Sequence, residues 1–80
     1  MIRLYADFNH RDEQGRVLLD TVGSLADIKK YEHMLAEDMD VMLHMENEFE
    51  VQGKLIFDEV WRAIPDFKTL RYLSTSDTEQ

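Results

Sequence analysis

Cysteine is missing from the 80 residues, which removes disulfides, thiolate metal sites and cysteine nucleophiles together and leaves the redox compartment open. Glycine occurs three times and proline once, and no glycine-rich phosphate loop or Gly-x-Ser-x-Gly elbow can be traced. No apolar run approaches the roughly 20 residues that span a bilayer. The opening stretch from Met1 to Phe8 alternates apolar and polar residues, unlike a secretory signal. These absences point to a soluble cytoplasmic protein.

Positive charge is also scarce. Nine Lys and Arg face 17 Asp and Glu, a formal charge of −8. A field of that sign repels nucleic acid and anionic membrane surfaces, so neither is an expected partner. Between Tyr31 and Gly53 there is no Lys or Arg, while Glu32, Glu37, Asp38, Asp40, Glu46, Glu48 and Glu50 are all acidic. The apolar fraction of 44% is nonetheless too high for a disordered acidic tail. One small domain over residues 1–73 is all that this length supports.

Ile2, Leu4, Ala6 and Phe8 alternate with polar neighbours and predict a half-buried strand. The polar stretch from Asn9 to Gly15 and the β-favouring run Arg16 to Thr21 predict its hairpin partner. Gly23 then breaks the chain, Ser24 stands three residues before Asp27 as a candidate cap, and a helix is expected from Leu25, with Leu25, Ile28 and Leu35 at helical spacing. Its end is ambiguous. A stop near Met34 to Glu37 is favoured over a longer central helix, because helix would gather Glu37, Asp38 and Asp40 on one turn.

Asp40 to Met45 becomes the third strand, Glu46-Asn47 a turn, and Phe49, Val51, Leu55 and Phe57 the inward face of a fourth strand bent at Gly53. Asp58-Glu59 is the next turn and Val60 to Ile64 the fifth strand. Pro65 is expected to end it and Asp66 to cap a short helical turn, before Arg71 to Leu73 close the fold. From Ser74 to Gln80 nothing is apolar, which predicts a disordered tail. The expected fold is mainly β, a five-stranded barrel with one short inserted helix.

Leu4-Tyr5-Ala6-Asp7-Phe8 resembles the opening Ala-Leu-Tyr-Asp-Tyr run of SH3 domains, and acidic Asp12 and Glu13, Trp61-Arg62-Ala63 and Ile64-Pro65 follow in that family's order. The resemblance implies an SH3-like barrel in which Tyr5, Trp61 and Pro65 would line a groove for a proline-rich peptide, with Asp12 and Glu13 pairing a ligand cation. The chain departs from that pattern at Val60, where the family has a second aromatic, and by its helical segment.

His33, Met34, Met39, Met42, His44 and Met45 concentrate thioether and imidazole, the donor set of a Cu(I) site. Met more commonly fills gaps in a core, and in a strand His44 and Met45 face opposite ways. The acidic stretch lacks the alternating ligands and central glycine of a Ca²⁺ loop. No cofactor and no catalytic residue is expected, since Asp58 and Glu59 fall on a solvated turn and Ser24 on a cap. The reading is therefore a non-enzymatic interaction module. Its expected surface is Glu37, Asp38, Asp40, Glu46, Glu48 and Glu50 with Tyr5 and Trp61, its expected partner a basic protein, and self-association is the other route. Trp61 fits either a core or a surface role.

Overall fold

A computed structural model describes residues 1–46 and 48–73. It is mainly β, a curled half-barrel of five strands with one short helix. In chain order these are β1 (Arg3–Tyr5), β2 (Val17–Leu18), α1 (Val22–Tyr31) running into a 3₁₀ turn at Glu32–Met34, β3 (Asp40–Met45), β4 (Phe49–Asp58) and β5 (Val60–Tyr72). Asn47 of the expected turn and the tail from Ser74 lie outside the described residues.

The spatial order is β1-β3-β4-β5-β2. The expected hairpin between the first two strands does not form: β1 lies parallel to β3, with Leu4 opposite Leu43, while β2 lies antiparallel to β5 at the opposite edge. What the loop does make is a small local hairpin, in which Arg11 bridges Val17 and Leu18 N donates to His10 O. That segment covers the outer side of β2.

The reason lies in how β1 is covered. Met42 N donates to Ile2 O and Ala6 N to His44 O, so even positions turn their backbone groups toward β3 and Tyr5 turns its own outward. There α1 clasps it: the Ser24 hydroxyl donates to Tyr5 O at 2.6 Å and Tyr5 N donates to the Asp27 carboxylate at 2.8 Å. Positions 24 and 27 share one helix face, so two side chains supply what a neighbouring strand would. Gly23 permits the approach, because a Cβ there would sit 2.8 Å from the Tyr5 ring. Ser24 is thus wholly buried and not the cap; Thr21 caps α1, its hydroxyl accepting from Ser24 N, and the helix begins at Val22. The inward stripe is accordingly Ser24, Ile28, Tyr31 and Leu35, and Leu25 is half exposed.

The core is formed by Leu4, Ala6, Val17, Leu19, Val41, Leu43, Val51, Leu55 and Ala63, all fully buried, with Phe8 almost so. Gly53 belongs to it, since a Cβ would meet Leu43 at 2.7 Å. The ladder irregularity falls elsewhere, between Glu50 and Gln52. Opposite it β5 carries extra residues, because Glu50 faces Arg71 while Gln52 faces Asp66. Pro65 therefore does not end β5, and no helical turn follows. Leu19 N donates to Trp61 O, so odd positions of β5 direct their backbone groups toward β2. Pro65 faces that side beyond the end of β2, and its missing N–H breaks no ladder bond. Past it, Thr69 Oγ1 accepts from Gln52 N at 2.8 Å in place of a backbone carbonyl, and Asp66 accepts from Lys68 N.

Candidate functional site

The expected acidic surface divides. Glu37, Asp38 and Asp40 lie just before and at the start of β3, whereas Glu46 and Glu48 lie beyond its far end, about 17 Å along the strand at ~3.3 Å per residue. The first group is partly engaged. The Glu37 carboxylate accepts from Phe57 N, the Asp38 carbonyl accepts from Lys54 Nζ, and Asp40 pairs with the same ammonium at 3.1 Å. Asp38 holds a left-handed backbone at φ 68°.

Glu50 leaves the surface altogether. Its side chain is 8% exposed, bonded to Arg71 at 2.6 Å with Arg3 at 3.6 Å. Arg71 and then Arg3 hold its carboxyl below the usual range against the opposing effect of burial. Asp12 is similarly engaged. Burial opposes its ionisation, yet backbone N–H groups of Arg16 and Gln14 and the guanidiniums of Arg62 and Arg16 hold its carboxyl far below the usual range. Arg16 reaches on to Asp58, so Asp12, Arg16, Arg62 and Asp58 form one network beside the β4–β5 turn. Asp12 is thereby already occupied by cations of its own chain.

Tyr5 and Trp61 belong to different aromatic pairs. Tyr5 stacks edge-on against His44, and Trp61 against Phe57 with centroids 5.1 Å apart. Trp61 is half-buried and packs on the core. His44 is half-buried, with Nε2 3.9 Å from Asp27 and a buried Nδ1 that has no partner. Burial, then Arg3, push its pKa down, with Asp27 and Glu50 opposing. Of the methionines, Met39 and Met45 pack against the core while Met34 is exposed beside exposed His33. Among the described residues no three His, Asp or Glu converge as metal ligands, and no helix is long and apolar enough to cross a membrane.

A different feature stands out where the inner face reaches the β3–β4 turn. Phe8, Phe49, Phe67 and Tyr72 form a continuous run of rings, with centroids 6.1 Å apart for Phe67 and Phe8, 5.2 Å for Phe8 and Phe49, and 6.1 Å for Phe49 and Tyr72. Phe8 is buried, but Phe67 is 51% and Tyr72 73% exposed. Glu48 adjoins them, its carbonyl accepting from Leu73 N, and no cation lies within ion-pair distance of Glu46 or Glu48 among the described residues. The Tyr5 phenol is pushed up by burial and by Glu46 and Asp7, so carboxylates of this end act on a common neighbour. Of the expected surface only Glu46 and Glu48 belong to this end, since the Tyr5 ring lies on the opposite face against His44 and Gly23.

Sequence reasoning missed the rings because they are far apart in the chain and Phe67 was assigned to a helical turn. The usable signal was the series Phe67, Leu70 and Tyr72, too apolar for a solvated chain end. No family model matches the chain, and no curated protein or solved structure does either.

Proposed function

We propose that the chain is a cytoplasmic, non-enzymatic module that binds another protein through the aromatic end of its half-barrel. The observation that supports this most directly is the run of rings from Phe67 through Phe8 and Phe49 to Tyr72, whose outer members are half exposed or more. Exposed aromatics continuous with a core are the anchors on which protein interfaces concentrate their binding energy. The backbone favours a face-to-face contact over strand addition, since β1 is clasped by α1, β2 is covered by residues 10–12, and β5 beyond Ala63 carries Pro65 and a bulge. Within this reading the half-barrel is a relative of SH3-like barrels. The five-strand curl and late Trp strand support that kinship, and the parallel β1–β3 pair is its main departure.

The test is retention of a protein from lysate by tagged chain, compared with the double variant Phe67→Ser, Tyr72→Ser. Loss of a specifically retained protein, with far-UV circular dichroism unchanged, is the expected result. Equal retention by both forms would remove the aromatic end as the binding surface.

A further inference from the structure

We infer that the occupant of the aromatic end is a basic, extended protein segment whose Arg or Lys side chains lie over Phe67 and Tyr72 and pair with Glu46 and Glu48. This rests on the reading of that end as the binding surface and names the chemistry of the partner.

The argument is one of charge complementarity at an aromatic patch. A cation placed within about 6 Å of a ring face is attracted by the ring quadrupole, and Arg in particular offers a planar group that stacks while its edge donates to carboxylates. Phe67 and Tyr72 supply exposed rings. Glu48 immediately precedes Phe49 in β4, and Glu46 closes β3 one residue after Met45, which faces Phe49 across the ladder. Glu48 O accepts from Leu73 N, next to Tyr72, so both exposed acidic residues belong to the same end of the sheet as the rings.

Glu50, by contrast, is withdrawn from any partner by Arg71 and Arg3. Arg71 is satisfied by the same bond, which leaves Lys68 as the nearby cation without an ion-pair partner among the described residues. Asp7 and Asp66 add further negative charge, each carboxylate accepting from a local backbone N–H and forming no ion pair among the described residues. The end is thus aromatic and net negative. A second copy of a chain carrying −8 would bring like charge to like, so self-association is the weaker occupant.

The experiment uses three synthetic ten-residue peptides, alternating Val with Arg, Gln or Glu, titrated into ¹⁵N-labelled full chain at low and high salt. The Arg peptide is expected to shift the amides of Phe49, Phe67 and Tyr72, and to bind roughly three- to tenfold more weakly to the variant Glu46→Gln, Glu48→Gln, the range for two exposed ion pairs. High salt should weaken it further. Equal binding of the Gln peptide would overturn the charge argument while leaving the aromatic end as a protein surface. Shifts confined to Glu37 to Asp40 would overturn the location. Dimerisation detected by sedimentation and abolished by Phe67→Ser would make the occupant a second copy and overturn the basic segment. No shift with any peptide, together with unchanged lysate retention by the ring variant, would remove both readings.

Discussion

The inner face of the half-barrel runs out into aromatic rings at both ends, and the two ends differ in how their charges are arranged. At the β4–β5 turn, Phe57 and Trp61 stand beside a closed network in which Arg16 and Arg62 span Asp12 and Asp58, and Glu37 holds a backbone N–H. At the β3–β4 turn, Phe49, Phe67 and Tyr72 share their end with Glu46 and Glu48, which form no ion pair among the described residues. A surplus of negative charge on the whole chain is thus local in effect. One end uses its acids to hold the loops of the fold, and the other leaves Glu46 and Glu48 exposed at the end that carries the exposed rings.

If that division is right, substitutions at the first end should cost more stability than those at the second. Trp61→Ala is expected to have the largest effect, about 2–4 kcal/mol, because a half-buried indole packed on the core is removed. Urea unfolding measures it. A loss under ~1 kcal/mol would make Trp61 a surface residue. Arg62→Ala comes next, at about 1.5–3 kcal/mol, since it deprives a largely covered carboxylate of one charged donor. Restoration by Arg62→Lys should be partial, because an ammonium cannot reach both Asp12 and the Asp58 carbonyl with the same fork.

The pH profile sharpens the comparison from a third position. His44 has a folded pKa below its unfolded value of 6.5, so the native state binds the proton less readily. Its contribution is complete above that value and is lost as pH falls through 6.5 toward the lower folded pKa. Asp12 and Glu50, also lowered, give up theirs only in more acid solution. Stability should therefore decline in two stages on acidification, and His44→Gln should remove the earlier one. The smallest effect is expected from Phe67→Ser with Tyr72→Ser, about 1 kcal/mol, since each ring is half exposed or more and keeps one aromatic contact. A larger loss would return those rings to the core and leave the aromatic end without a surplus to offer a partner.

Much of the architecture was readable from local pattern. The stop of the helix before Leu35, the strand Asp40–Met45 and the Asp58-Glu59 reversal all follow from periodicity, like-charge crowding and turn chemistry acting within a few residues. Pairing order was not readable. Ile2 to Phe8 alternates equally well for a hairpin partner or a parallel one, and the deciding contacts come from Ser24 and Asp27 on a helix whose own start is displaced by Thr21. Pro65 misled because its tolerance depends on where β2 stops. Glu50 misled because its cations, Arg71 and Arg3, come from the far ends of the chain.

The parallel seat of β1 carries a consequence for how the chain reaches this state. Arg3 meets Met42 about 40 residues later, and β2 must wait for β5, so both edge strands close loops whose entropy is lost before any contact rewards it. The β3–β4–β5 meander needs only short reversals and can form first. Assembly then runs from the middle of the sheet outward: β1 docks on the free side of β3, and α1 fastens it by its two side chains. Variants of Ser24 or Asp27 should on this account chiefly hasten unfolding, while changes in the meander slow folding itself.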